Sequence, residues 1–359
     1  MQLSSLLSSG WSSVLSALPP SVDLTALARS EGAIKRNRRI SDGETLLRLA
    51  LWYGPCGLSL RSAAALAAGT EMASLSDVAL LKRLCGAGDW LEAIIAAVLA
   101  ERHSEPVAGT RDLVLIDGTA ISQPGSKGTD WLLHSRYKPG HGFCGFALMD
   151  GKSAETLEHH ALKPGDIAIG DRAYARGGKG LCYVLEQQAD YIVRAGWRSL
   201  ALRDERGEKY DLLAQLKNLK PGEMTDLHVA VVVGRQLLPV RLVVQARQDD
   251  ATEAVVKRVQ RKAQKNGRAG DPRSQEAARY MIIATSLDAE SYPSASILAL
   301  YKMRWQIELA FKRLKSLLNL DRLPAKNRNL ARAWLNAHLL LALLIDDMTQ
   351  QLLDSPPCA

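Results

Sequence analysis

Two short apolar runs that each end in an aspartate constrain this chain most: Leu113-Val114-Leu115-Ile116 before Asp117, and Ile167-Ala168-Ile169-Gly170 before Asp171. Four apolar residues bounded by turn residues read as a strand buried on both faces, as in a sheet with helices on either side. An aspartate at the carboxyl end of such a strand is held rigidly yet reaches solvent, and two of them meet if their strands are neighbours. Taken singly, such aspartates more often cap turns.

The surrounding pattern is that of an α/β layer. A further strand is expected at Gly145 to Asp150, a helix at Leu181 to Gln188 and a strand at Tyr191 to Val193. Between about 196 and 275 two strand-like runs, LHVAVVV and VRLVVQA, precede a charged helical piece, VVKRVQRKAQKNGR, which together read as an insertion into the sheet domain. The strand pattern resumes at YMIIATSL, and helical regions follow from about Ser294 to Leu318 and from Ala331 to about Leu352. Before Asp112 strand-like runs are missing, and apolar residues recur at helical spacing in Thr45 to Trp52, Ser62 to Ala68 and Ser76 to Leu84. The expected organisation is an all-α domain over 1–108, a mixed-sheet α/β domain over 109–345 interrupted at about 196–275, and a tail over 346–359. Leu58 to Leu84 has the spacing of a helix-turn-helix, a spacing that two Ala-rich helices of any bundle share.

The third carboxylate lies in YKMRWQIELAFKRLKSLL, where Tyr301, Arg304, Glu308 and Lys315 are spaced by three, four and seven residues. At 3.6 residues per turn these four share one face, within about 60° of arc. Leu300, Met303, Ile307, Phe311, Leu314 and Leu318 fill the adjoining arc, so the helix buries that stripe and holds Glu308 at a cleft edge. The plainer alternative is a solvated face with Glu308 paired to Arg304 or Lys312, worth only about 0.3–0.5 kcal/mol. Two strand-end aspartates and a helix-borne glutamate beside basic residues point instead to a hard-oxygen site for Mg²⁺ or Mn²⁺.

Composition narrows the partners. Lys plus Arg outnumber Asp plus Glu by 46 to 38, a net charge of +8 that favours a polyanion such as nucleic acid. The basic stretch from Lys257 to Arg273, with Lys257, Arg258, Arg261 and Lys262 at its start, either follows a DNA backbone or is a solvated helix. The five cysteines are scattered and never form C-x-x-C, so neither a zinc knuckle nor a disulfide framework is expected. The first residues lack a basic n-region, and the longest apolar run, roughly Leu339 to Ile345, is too short for a bilayer; a cytoplasmic protein with no membrane partner is expected.

At these residues the chain resembles the bacterial insertion-sequence transposases of the DDE class, in the family carrying a Y-x2-R-x3-E-x6-K box. Here the box is Tyr301, Arg304, Glu308 and Lys315, with Asp117 in IDGT and Asp171 in GDRAY in the family's order. The resemblance covers about Arg111 to Ile345. It implies a ribonuclease H-like catalytic domain, a mixed sheet flanked by helices with a β-rich insertion, preceded by a helical domain that recognises terminal inverted repeats. It further implies two Mg²⁺ ions, replaceable by Mn²⁺, at Asp117, Asp171 and Glu308. DNA contacts are expected from Tyr301, Arg304, Lys312, Lys315 and Arg172. The partner is double-stranded DNA bound by a homodimer, in a nucleoid-associated setting. One departure is Tyr280, which stands where family members often carry a Trp and which either stacks on a base or packs in its strand. Two other functions fit the motifs: a DNA-binding relic that no longer cuts, and a ribonuclease H-like nuclease that cuts without joining.

Overall fold

Before residue 111 the described chain is helical, and four of its helices begin where a short polar side chain caps them. In this computed structural model, residues 10–36, 39–102, 111–265, 267, 271–320 and 323–354 are described. Helix α1 (Trp11–Ser16) is followed by α2 (Leu24–Ser30), opened by Asp23, whose carboxylate accepts from the Thr25 and Ala26 amides at 2.9 Å. Asp42 caps α3 (Gly43–Tyr53), Ser59 caps α4 (Leu60–Gly69) and Ser76 caps α5 (Asp77–Cys85), before the longer α6 (Gly88–Arg102).

The chain then alternates between strands and helices. Strands β1 (Leu113–Ile121), β2 (Trp131–Lys138) and β3 (Gly142–Asp150) form an antiparallel meander; a 3₁₀ turn (Leu157–His159), β4 (Ile167–Gly170), α7 (Lys179–Glu186) and β5 (Asp190–Ala195) follow. Next come β6 (Leu202–Arg203), α8 (Leu212–Leu216), β7 (Met224–Val233), β8 (Gln236–Ala246), α9 (Asp249–Lys265), α10 (Pro272–Ala277) and β9 (Tyr280–Thr285). Helices α11 (Ser294–Lys302), α12 (Trp305–Leu318) and α13 (Arg328–Asp354) close the described chain.

The strands form one mixed nine-stranded sheet in the order β3-β2-β1-β4-β5-β9-β8-β7-β6. The two-residue period sorts its side chains onto two faces. Leu115, Ile169, Ile192, Val243 and Ile283 join α11, α12, α13 and the N-terminal helices in one core. Val114, Ala168, Val193, Val244 and Ile282 face the other way, onto Leu181 and Val184 of α7 and Leu212 and Leu216 of α8. Helix α13 packs on α3, α5 and α6, so the described N-terminal helices share a continuous apolar core with the C-terminal helix.

Three local expectations change. The run expected as one helix over Ser294 to Leu318 is two: the amides of Met303, Arg304 and Gln306 bond to carbonyls three residues back, at 3.0, 3.1 and 3.0 Å, and this 3₁₀ tightening breaks the α-helical register. Tyr301 and Arg304 therefore stand on either side of a junction, not on one straight face. Strand β1 does not stop at Asp117 but continues to Ile121 along β2, where Asp117 pairs with Ser135. Strands β7 and β8, expected within an insertion, extend the main sheet, because β9 pairs with β5 on one side and β8 on the other. Among the described residues no helix is long and apolar enough to cross a membrane, and the four described cysteines are free.

Buried imidazoles make this fold acid-sensitive. His338, 1% exposed, donates from Nδ1 to the Trp334 carbonyl at 2.8 Å, and burial pushes its pKa down to about 4. Burial and the neighbouring His159 push His134 down to about 4 as well, and burial, first of all, holds His160 well below the usual range. The unfolded chain takes up protons near pH 6.5 that the fold refuses, so stability present above that pH is lost as pH falls toward 4. His338 alone accounts for about 3 kcal/mol at the lower limit. Chemical denaturation at pH 7.5 and 5 should show this loss, and His338→Phe should flatten the slope; an unchanged slope would assign the acid sensitivity elsewhere.

Candidate active site

The sheet register brings two aspartates level. Strands β1 and β4 run parallel with Leu115 opposite Ile169, and two residues further along each lie Asp117 and Asp171. Strand β4 has ended at Gly170, so the edge of β1 beside Asp117 is open on that side. Asp171 turns out of the sheet, its Oδ1 accepting from the Ala173 amide at 2.8 Å. Asp117 Oδ1 accepts from the Gly118 amide at 2.9 Å, and its Oδ2 lies 3.9 Å from the Arg304 guanidinium.

Glu308, in the first turn of α12, completes the acidic group. Its carboxylate accepts from Arg304 and is largely exposed. Arg304 thus bridges Asp117 and Glu308, with its guanidinium 5.8 Å from the ring of the buried Tyr301. The pairing of Glu308 with Arg304 anticipated as the plain alternative is present, but it lies at the mouth of the cleft and reaches Asp117. Burial pushes the Asp117 carboxyl up to about 6; the Gly118 amide and Arg304 oppose this, while Asp171 and Glu308 add to it. Asp117 therefore lies within the field of both other carboxylates.

A cleft of about 700 Å³ opens beside Asp117 and Glu308, lined by these two with Gly118, Thr119, Phe311, Lys312, Lys315, Ser316 and Asn319; Asp171 is not part of its lining. Lys312 is exposed and Lys315 half-buried, one turn and two turns along α12 from Glu308. Arg172 is exposed and lies over the end of β5, its Nε 2.9 Å from where a Cβ on Gly196 would stand. Lys257, Arg258 and Arg261 are exposed on α9, with Lys257 paired to Glu253 at 2.8 Å, and none lines the cleft. The side chain of Lys262 and all of Arg268 lie outside the described residues. Tyr280 is 7% exposed and donates its hydroxyl to the Leu216 carbonyl at 2.9 Å, so its ring is committed to strand packing.

Sequence reasoning passed over two groups here. Arg194, near the end of β5, acts electrostatically on Tyr301, and the YIVR string was its only signal. The Tyr174 hydroxyl lies within the field of Asp117, Glu155 and Asp171. Its place in GDRAY signalled a turn, not a neighbour of the acids.

Among the described residues, no group of three or more His, Cys, Asp or Glu stands at metal-binding spacing, and Glu308 is drawn onto Arg304. The donor set nonetheless fits a divalent cation. It consists of hard carboxylate oxygens, and burial and two like-charged neighbours penalise the Asp117 anion, a penalty that a divalent cation relieves. Arg304 supplies one positive charge at that point.

Residues 108–345 match the family described as the transposase DDE domain. The chain belongs to this family of DNA transposases, enzymes that depend on divalent metal ions and act on DNA. The transposase of insertion sequence element IS421 from Escherichia coli is 40% identical over 362 residues, covering 97% of this chain and 96% of that relative. InsL of insertion sequence element IS186A from Escherichia coli (strain K12) is 40% identical over 361 residues, with the same coverage. The transposase of element IS231F from Bacillus thuringiensis subsp. israelensis is 28% identical over 174 residues, 45% of this chain and 36% of its own length.

Proposed function

We propose that this transposase cuts DNA at the ends of its insertion sequence and joins those ends to target DNA, with Asp117, Asp171 and Glu308 holding two Mg²⁺ ions that Mn²⁺ can replace. The observation that carries this is the register that sets Asp117 level with Asp171, with Asp117 sharing a cleft with Glu308, Lys312 and Lys315. Bound divalent ions supply Lewis acidity for in-line attack on a phosphodiester, activating the nucleophile and stabilising the leaving 3′-oxygen. The chain supplies the rest. The β1 backbone holds Asp117 rigid, while Glu308, on a helix packed by Ile307 and Phe311, approaches from the opposite wall. Arg304 gives up Glu308 and Asp117 when cations occupy them, and its guanidinium then pairs with a DNA phosphate. Tyr301 supports Arg304 from beneath, and Lys312 and Lys315 hold the strand through phosphates without reading sequence.

In this proposal the mixed sheet is a ribonuclease H-like catalytic domain over 109–345 with an insertion at about 196–275, and 346–359 forms a tail. Residues 1–108 form the helical domain that binds the element's terminal inverted repeats, and Lys257, Arg258, Arg261, Lys262 and Arg172 follow the DNA backbone. A homodimer brings two ends together in the cytoplasm, on nucleoid DNA. The test incubates the protein and Mg²⁺ or Mn²⁺ with DNA carrying the sequences that flank this gene. Cleavage at the ends and joining to a second plasmid are expected. Cleavage without joining would make it a plain nuclease, and binding without cleavage a DNA-binding relic.

A further inference from the structure

We propose that Arg247, at the end of β8, holds a backbone phosphate of the bound DNA some way along the strand from the bond that is cut, with Arg194 on the neighbouring part of the same sheet face. The proposal rests on the reading above, that DNA lies across Asp117, Asp171 and Glu308.

Strand alternation places these residues together. Leu115, Ile169, Ile192 and Val243 lie on the face of the sheet that packs against Tyr301 and Ile307. Asp117, Asp171, Arg194 and Arg247 each stand an even number of residues further along the same four strands, and so belong to that face. Strand β9 runs antiparallel to both β5 and β8, and β1, β4 and β5 are parallel, so β1, β4, β5 and β8 all point the same way. The four side chains therefore lie toward one edge of the sheet. The amide of Arg247 bonds to the Arg279 carbonyl at 2.8 Å, which continues the ladder one step past Ala246 and keeps the alternation. Helix α11, which ends beside Tyr301 and Arg304, packs on β5, β7 and β8 on this face.

Arg247 is half-buried, and its Nε is buried with no hydrogen-bond partner. Arg241, on the same face of the same strand, is paired with Asp226, and Arg304 with Glu308. Among the described residues no carboxylate pairs with Arg247 or Arg194. Burial pulls the Arg247 guanidinium down from its ordinary range, Arg194 adds to this, and only Tyr301 opposes it. A guanidinium withdrawn from water beside a second one is costly unless an anion joins them. Its planar set of N–H donors fits a phosphate. Strands β1 and β8 are four strand spacings apart, about 19 Å, so the phosphate held is not the scissile one but one further along. The strands that precede β9 thereby bring a DNA contact to the catalytic face.

The experiment measures binding of a fluorescent duplex carrying the sequences that flank this gene to the full-length protein, by anisotropy over a range of KCl concentrations. It compares wild type, Arg247→Met, Arg247→Lys and, as a control, Arg235→Gln in the exposed turn between β7 and β8. Thermal unfolding without DNA accompanies each. Arg247→Met is expected to bind about tenfold more weakly, by the same factor on an unrelated duplex, with the slope of log affinity against log salt reduced by about one. Its melting midpoint should be no lower than that of the wild type, because the fold loses a charge that it leaves unpaired. Arg247→Lys should recover part of the affinity and the slope, and Arg235→Gln should change neither. Wild-type affinity and slope in Arg247→Met would overturn the role of Arg247 and leave the three-acid site standing. A lowered midpoint in Arg247→Met, or its failure to fold, would make Arg247 a packing residue and overturn the proposal. A wild type that binds no duplex DNA would overturn both.

Discussion

Asp117→Asn is expected to lower strand cleavage and joining by at least about 10³-fold, a loss of about 4 kcal/mol of transition-state stabilisation, while leaving the fold intact. The carboxylate lost is the one that the fold holds at highest cost. It is partly buried at the open edge of β1, pushed up to about 6 by burial, and faces Asp171 and Glu308. An amide of the same shape keeps an acceptor for the Gly118 amide, so the thermal unfolding midpoint should be no lower than that of the wild type. Glu308→Gln should lose activity to a similar degree with little change in stability, since Glu308 is exposed and its pairing with Arg304 is a solvated contact. End-DNA cleavage assays in Mg²⁺ and in Mn²⁺, alongside thermal melts, separate the two effects. Retained cleavage in Asp117→Asn would remove this aspartate from the chemistry.

Arg241→Met should produce the largest loss of stability, about 3–5 kcal/mol. Arg241 is 5% exposed on β8 and donates to the carbonyls of Leu287, Asp288 and Tyr292 at 3.2, 3.0 and 2.8 Å, and to Asp226 at 2.9 Å. Asp226 in turn accepts from the Ser294 hydroxyl at the start of α11. Methionine fills much of the volume but removes the guanidinium from three carbonyls and leaves the Asp226 carboxylate only its Ser294 donor. The loop from β9 into α11 is thereby released, and α11 carries Tyr301 toward Arg304 and Glu308. Denaturant unfolding measures the loss, and cleavage should fall at temperatures where the variant is still folded. A change under about 1 kcal/mol would mean that water replaces the guanidinium freely.

Much of the site was legible because its parts are local. The apolar runs before Asp117 and Asp171 announce buried strands, and the stripe of Ile307, Phe311 and Leu314 announces a packed helix face carrying Glu308. Strand β2 escaped notice because its buried residues include His134 and Ser135, whose polarity hides a strand that is closed on both faces. The junction between α11 and α12 escaped because a 3₁₀ tightening of one turn leaves the helical spacing of apolar residues nearly unchanged.

The sequence by itself determined most of the elements and singled out Asp117, Asp171 and Glu308 with the basic residues that accompany them, because these follow from periods of two and 3.6 residues and from a spaced motif. Only the tertiary structure decided that β4 stops where β1 continues, that β9 joins the later strands to the first sheet, and that Arg304 stands between Asp117 and Glu308. Those outcomes depend on pairing between residues tens of positions apart, which is set by burial of both sheet faces at once and leaves no signature in any single segment.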